Sequence, residues 1–168
     1  MEFTLRPATV DDVDPLTRMH LAAWRESYGH LLPPSFFAEH EATIDARIER
    51  HRAAVSAGSY NPMLAQDAEG ALVGIACAGQ AREDDRPCEL ELQMIYTLRR
   101  VHGMGVGQAL VDAVIGTAAA YLWVLEDNPR AQAFYRRNGF RADGTRQLLP
   151  PDWHQLPEIR MVRPAVVG

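Results

Sequence analysis

The middle of the chain changes from a two-residue hydrophobic period to a helical one. In Glu89–Tyr96, large apolar side chains alternate with mostly polar ones, which is typical of a β-strand. A glycine-rich turn, Gly103–Gly107, follows shortly after. From there, apolar residues recur on one helical stripe at Val106, Leu110, Val111, Val114, Ile115 and Ala118. The pattern predicts a strand, a glycine-rich turn and a helix.

A second stretch repeats the order of strand and helix. Tyr121–Leu125 is a short continuous apolar run, typical of a strand that is covered on both faces. Asn128 followed by Pro129 predicts a helix start, with Asn as the N-cap and Pro at the first helical position. Gly139 predicts the end of that helix.

The remaining pattern predicts further strands and helices on both sides of this centre. Thr9 and Asp12 resemble a capping box and start a helix that runs to about Tyr28. A second helical region, roughly Ser35–Ala57, is expected to break near Ala42 and Thr43. The other predicted strands are Phe3–Pro7, Met63–Gln66, Leu72–Ala78, Thr145–Leu149 and Glu158–Arg163.

The glycine-rich turn predicts an anion-binding site. Glycines on alternate residues leave backbone N–H groups uncovered at a helix start, where the helix dipole also favours negative charge. Arg99, Arg100 and His102 precede the turn and are expected to add positive potential. No Lys-Ser/Thr pair follows the glycines, and the spacing of the dinucleotide fingerprint is not met, so neither a Walker-type nor a Rossmann-type site is predicted.

Two motifs together resemble the acetyl-CoA-binding motifs of the GNAT acetyltransferase superfamily. The first is His102-Gly103-Met104-Gly105-Val106-Gly107, with His in place of the usual Gln or Arg. The second keeps every spacing of the family pattern at Asn128, Ala131, Phe134, Tyr135, Gly139 and Phe140. The resemblance implies one α/β (α+β) domain over residues 1–168. Its mixed, mostly antiparallel sheet of about six to seven strands would be flanked by about four helices and splayed into a V between the two central strands.

The resemblance also implies a cofactor, acetyl-CoA, and the residues that hold it. The backbone of Ile95, Tyr96 and Thr97 is expected to bind the pantetheine arm and to polarise the thioester oxygen. Asn128 is expected to contact the same arm, although its N-cap role alone explains it. Tyr135 is expected to protonate the coenzyme A thiolate, with packing as the alternative. The pyrophosphate is expected on His102, Gly103, Met104, Gly105, Val106, Gly107 and Gln108.

The sequence identifies the acceptor-binding residues less clearly than the acetyl-CoA-binding residues. Glu91 matches the position where family members often carry a glutamate base, with Glu89 as second choice and an arginine-paired glutamate as the alternative. Trp24 and Tyr28 are candidate acceptor contacts that core packing explains equally well. An acidic cleft with Glu89 and Glu91 would suit a cationic amine. His20, on the same helix as Trp24, is interpreted as a hydrogen-bonded packing histidine.

Composition narrows the function further. The 168 residues carry a net charge of −5, and no apolar run approaches the ~20 residues of a membrane span, so neither nucleic acid nor membrane is an expected partner. Cys77 and Cys88 lack a metal-ligand spacing, so no metal is predicted, and two reduced thiols in a cytoplasmic protein are expected.

These observations predict direct acetyl transfer to a primary amine of a small molecule or peptide. The alternative is a non-catalytic acyl-CoA-binding or regulatory module of the same fold. A homodimer is a family-level expectation. Neither the acceptor nor the choice of base is determined by the sequence.

Overall fold

A computed structural model of the protein describes residues 2–166. Over this range the chain forms seven strands and five α-helices, with single 3-10 turns before α1, before α4 and before β7. The strands are β1 (Phe3–Pro7), β2 (Met63–Asp67), β3 (Leu72–Gln80), β4 (Leu90–Thr97), β5 (Ala120–Leu125), β6 (Arg141–Leu148) and β7 (Pro157–Arg163). The helices are α1 (Val13–Tyr28), α2 (Pro34–Ala42), α3 (Ile44–Ser56), α4 (Val106–Ile115) and α5 (Pro129–Arg137).

The strands form one mixed sheet in the order β1-β2-β3-β4-β5-β7-β6. The pairs β1–β2, β2–β3, β5–β7 and β6–β7 are antiparallel, whereas β4 and β5 run parallel with Glu91 opposite Tyr121. The predicted fold class is confirmed, with five α-helices where about four were expected, and the early helical region breaks at Thr43 as predicted. The splayed V and the single domain stay predictions.

The described chain groups into two compact units. The first unit comprises the chain up to Cys77 together with Met94–Val114, and the second comprises Ala78–Gln93 together with the chain from Ile115 onward. No helix of the described residues is long and apolar enough to cross a bilayer.

The first unit has two apolar clusters, one for each face of its strands. Neighbouring residues of β2, Leu64 and Ala65, point to opposite faces, as strand geometry requires. Leu64 packs with Leu16, Met19 and Ala23 of α1. Ala65 belongs to the cluster that contains Val106 and Leu110 of α4. Helix α4, which carries the glycine-rich turn, is therefore fixed by buried apolar contacts.

Gly74 of β3 allows α4 to approach the sheet closely. A Cβ atom at this position would lie 2.9 Å from Leu110 Cδ1 and 3.1 Å from Thr97 Cγ2. Those distances are shorter than ordinary van der Waals contact, so a larger residue would require the Leu110 and Thr97 side chains to shift.

In the second unit, the start of β6 differs from the prediction. The strand begins at Arg141, not at Thr145, and its register against β7 shifts between Ala142 and Arg146. Gly144 lies within this shift, with φ of 92°. The bulge interrupts the two-residue alternation that was used to find strands, which is why the sequence pattern missed the first residues.

Candidate active site

The glycine-rich turn forms an open loop at the start of α4. Gly103 and Gly105 have φ of 79° and 87°, a left-handed conformation that other residues adopt only with strain. A Cβ atom added at either glycine would meet nothing within 4 Å. The Ala109 N–H donates to the Gly105 carbonyl, which marks the first helical hydrogen bond. The N–H groups of the preceding helical positions therefore lack intrahelical acceptors.

His102 links this turn to the end of β4. Its Nε2 lies 3.2 Å from the Thr97 carbonyl oxygen, and because a carbonyl only accepts, Nε2 is the donor. The two arginines before the turn are engaged elsewhere. Arg99 bonds Glu26 through its backbone N–H and its guanidinium, and Arg100 pairs with Asp67 at 2.7 Å. These pairs reduce the positive potential expected from both arginines.

An aromatic cluster in the first unit surrounds Trp24, whose side chain is buried. The Trp24 ring contacts His20 edge-on at a centroid distance of 4.8 Å and lies 6.4 Å from Tyr96 of β4. The Tyr28 and Tyr96 hydroxyl oxygens are 3.1 Å apart. Of the two predicted acceptor contacts, Trp24 is a packing centre, whereas the half-buried Tyr28 remains accessible.

His20 is packed without hydrogen bonds. Among the described residues neither ring nitrogen has a partner, and the side chain is 6% exposed. Burial, with the nearby positive charges of Arg47 and His51, lowers its pKa to about 3. The prediction of packing is confirmed, but the hydrogen bond expected for it is absent from residues 2–166. A ring that is neutral and enclosed in this way is poorly placed to act as a base.

Glu91 of β4 is buried and paired with an arginine. Arg82 donates from Nε to Oε2 at 2.9 Å and from Nη2 to Oε1 at 2.5 Å, and the Tyr121 hydroxyl donates to Oε2 at 3.3 Å. The hydrogen bond with Glu91 raises the pKa of Arg82. Burial, with the negative charge of Glu91, raises the pKa of Tyr121 to about 12, which keeps its hydroxyl protonated as a donor. A carboxylate has about four acceptor positions, so one position on Oε1 remains.

Glu89 differs from Glu91 in exposure. Its side chain is 76% exposed and bonds Arg86 at 3.2 Å. Both carboxylates of the expected acidic cleft are therefore already paired with arginines, which weakens the reason for expecting a cationic acceptor.

Tyr135 lies on α5, and Asn128 lies at the N-terminus of this helix. Asn128 Oδ1 accepts from the Ala131 N–H at 3.1 Å, so the predicted N-cap is confirmed, and the amide nitrogen remains as a donor for another partner. Tyr135 is buried, and its ring lies 5.5 Å from Phe134 and 5.9 Å from Phe140.

Sequence reasoning missed the network around Arg160 of β7. Arg160 bonds Asp143 at 2.7 Å, Glu83 at 3.2 Å and Asp85 at 3.3 Å, and the Trp123 indole N–H also donates to Glu83. The sequence predicts that the acidic run 83–85 is a solvated loop tip. Its first residue, Glu83, is instead bound to Arg160 and Trp123. No local signal identifies this contact, because its partners are distant in sequence.

Comparison with known proteins assigns the family. A model of the "Acetyltransferase (GNAT) family" matches residues 16–140. An uncharacterized N-acetyltransferase of Mycobacterium tuberculosis is 36% identical over 142 residues, which cover 80% of this chain and 88% of that protein.

Solved structures have the same fold. A Corynebacterium glutamicum protein described as "histone acetyltransferase HPA2 and related acetyltransferase" matches with TM-score 0.72 and 26% identity, over 100% of this chain and 99% of that one. The PaiA N-acetyltransferase of Thermoplasma acidophilum, solved with coenzyme A, matches with TM-score 0.71 and 16% identity, over 98% and 99%.

The chain belongs to the GNAT family of acetyltransferases. It is an N-acetyltransferase, and members of this family use acetyl-CoA as the acetyl donor.

Proposed function

We propose that the protein transfers the acetyl group of acetyl-CoA to a primary amine of a small molecule or peptide, directly and within a ternary complex. The observation that carries this proposal is the turn at the start of α4, where two left-handed glycines with open space at their Cβ positions precede N–H groups that have no intrahelical acceptor. The residues that would hold the pyrophosphate there are His102, Gly103, Met104, Gly105, Val106, Gly107 and Gln108.

The pantetheine arm is assigned to backbone groups of Ile95, Tyr96 and Thr97 and to the amide of Asn128. The His102–Thr97 hydrogen bond supports this assignment, because it ties the end of β4 to the glycine-rich turn. When bound, acetyl-CoA supplies an activated acetyl group as a thioester. A backbone N–H at 95–97 would polarise the thioester oxygen, where negative charge develops during acyl transfer.

Two side chains are assigned to the proton transfers. Glu91 accepts a proton from the acceptor amine as the C–N bond forms, using the acceptor position that Arg82 and Tyr121 leave on Oε1. Tyr135 donates its phenolic proton to the coenzyme A sulfur as the C–S bond breaks. Arg82 holds the Glu91 carboxylate in one orientation through its two hydrogen bonds.

Direct transfer is supported by the state of the two cysteines. Among residues 2–166 neither cysteine forms a disulfide; Cys77 is buried, and burial raises the pKa of Cys88. A raised pKa disfavours the thiolate that a cysteine acyl-enzyme requires. Two reduced thiols also support the proposed cytoplasmic location.

The test combines a binding measurement with kinetics of Tyr135→Phe. Acetyl-CoA should raise the melting temperature of the unmodified protein and of Tyr135→Phe equally, because the lost hydroxyl acts on the leaving thiolate. The kcat for any acetylated amine should fall by about 10²-fold or more. Phe134→Leu, which alters the neighbouring ring without removing a proton donor, is the control and should retain most of kcat.

Glu91→Gln is assayed in the same way. Loss of the base should lower kcat while the thermal shift caused by acetyl-CoA stays unchanged. If kcat is retained and only the melting temperature of the protein falls, Glu91 is a structural partner of Arg82. If acetyl-CoA causes no thermal shift in the unmodified protein, the proposed function itself is wrong.

A further inference from the structure

Arg47 of α3 is a half-buried cation without an acidic partner. Its guanidinium carbon lies 4.3 Å from the centroid of the Trp24 ring. Within residues 2–166, no Asp or Glu carboxylate forms an ion pair with it, and no side-chain hydrogen bond satisfies its donors. Burial lowers the pKa of Arg47, because the charge has lost water without gaining a carboxylate.

Four other arginines of the described chain each have a carboxylate partner at 2.5 to 2.7 Å. The pairs are Arg6–Asp12, Arg82–Glu91, Arg100–Asp67 and Arg160–Asp143. The half-buried Arg47 has no such carboxylate among residues 2–166, and an acidic ligand would supply it.

The contact with Trp24 leaves hydrogen-bonding capacity on Arg47. A guanidinium has five N–H donors in a fixed fork, and an aromatic ring offers them no oxygen acceptor. Two parallel N–H groups match the two oxygens of a carboxylate, which gives a bidentate ion pair. The Trp24 ring therefore lies beside the guanidinium without supplying the carboxylate that its charge lacks.

The charge around Arg47 selects a singly charged anion. His20 is neutral at pH 7, because its pKa is about 3. Burial and the charges of Arg47 and Arg50 also lower the pKa of His51, whose Nδ1 lies 3.2 Å from the Thr17 hydroxyl. Arg47 is therefore an enclosed positive charge that one carboxylate would balance, while the neighbouring Arg50 is exposed.

The position of Tyr96 connects this cation to the reaction. The Tyr96 ring and the Arg47 guanidinium both approach Trp24, and the Tyr96 backbone is where the thioester is assigned above. Arg47 and Tyr96 are also close enough to interact electrostatically, so an acceptor whose carboxylate binds Arg47 would lie near the end of β4.

We propose that Arg47 binds a carboxylate of the acceptor, so that the substrate class is an amino acid or a similar amine that also carries a carboxylate. This inference rests on the proposed function. It replaces the expectation of a purely cationic amine, whose recognition by Glu89 and Glu91 is opposed by their pairing with Arg86 and Arg82.

The experiment compares amines that differ only in the carboxylate. The panel contains the α-amino acids, ω-amino acids and aminobenzoates, each beside its carboxamide, and thiol release from acetyl-CoA is measured. For the best acceptor, kcat/KM should exceed that of its carboxamide by about tenfold or more. Arg47→Gln should raise KM for the carboxylate form, leave KM for acetyl-CoA unchanged and remove the preference over the carboxamide.

Two further variants control the result. Arg47→Lys keeps the charge but loses the planar fork and should retain part of the preference. Arg50→Gln removes an exposed arginine of the same helix and should leave the preference intact.

The outcomes separate this inference from the proposed function. Equal use of carboxamides, or a preference that survives Arg47→Gln, overturns the role of Arg47 while acetyl transfer stands. Failure to acetylate any carboxylated amine also overturns it, and if acetyl-CoA gives no thermal shift either, the proposed function falls with it.

Discussion

Two arginines of this protein lie over tryptophan rings, yet their surroundings differ. Arg160 lies 5.8 Å from the Trp123 ring and Arg47 lies 4.3 Å from the Trp24 ring. Burial lowers the pKa of Arg160, but hydrogen bonds with Asp143 and Glu83 outweigh it, so the net pKa shift is upward. For Arg47, no hydrogen bond with a carboxylate opposes the effect of burial, so the net pKa shift is downward.

The number of acceptors bound by each guanidinium distinguishes an arginine that stabilises the fold from an arginine that can bind a ligand. The donors of Arg160 are used by three carboxylates and by the Thr145 hydroxyl, all within the second unit. Such a network holds strands and a loop together and leaves little for a substrate. Arg47 has the same aromatic support but an incomplete set of acceptors, and binding a ligand would complete it.

The largest expected effect is the loss of stability on removing Arg160. Arg160→Met leaves Asp143 and Glu83, whose side chains are each 24% exposed, without their shared cation. We expect the free energy of unfolding to fall by about 3 kcal/mol or more, as when one member of a buried ion pair is removed. Urea unfolding at pH 7 measures it.

Arg146→Gln is the matched control for this substitution. Arg146 pairs with Glu126 on the surface, and both side chains are well exposed. Its loss should change the free energy of unfolding by less than about 1 kcal/mol. If Arg160→Met costs no more than this control, the buried network does not stabilise the second unit.

The second-largest expected effect is a pH dependence of the free energy of unfolding, caused by the titration of His20. Its pKa of about 3 in the folded state lies below the ordinary value of 6.5. Between these values the unfolded chain binds the proton and the folded chain does not. Stability is therefore complete above pH 6.5 and is lost as the pH falls, by roughly 2 kcal/mol from this group between pH 7 and pH 5.

His20→Phe should flatten this dependence. Urea unfolding at pH 7 and pH 5 gives the comparison, and most carboxylates titrate below this range. His51, whose lowered pKa acts in the same direction, is removed separately with His51→Gln to measure its share. An unchanged pH dependence in His20→Phe would show that the folded protein admits a protonated His20.

The parts of the fold that follow from the sequence are those with local signals. Alternation gave β1 the observed bounds, and the Asn128–Pro129 start of α5 is visible as a capping hydrogen bond to Ala131. The glycine-rich turn was found because its conformation requires glycine at Gly103 and Gly105. In each case the physical cause lies within a few residues of the feature.

The parts that could not be predicted depend on distant residues. An arginine-paired Glu91 was one interpretation of the sequence, but the identity of its partner, Arg82, depends on how the loop after β3 folds back. The docking of Glu83 on Arg160 joins residues 77 positions apart. Arg47 gave no signal at all, because what distinguishes it is a missing carboxylate, which only the folded arrangement reveals.

The smallest expected effect completes the comparison between the two arginines. Arg47→Met should change the free energy of unfolding at pH 7 by less than about 1 kcal/mol, because only the cation–π contact with Trp24 is lost and no carboxylate is left unpaired. Urea unfolding beside Arg160→Met provides the measurement under identical conditions. A loss as large as that of Arg160→Met would mean that Arg47 holds α3 against α1, and its open donors would then be a by-product of packing. A small loss, together with a loss of carboxylate preference in the acetylation assay, would mean that this cation contributes to substrate binding and hardly to stability.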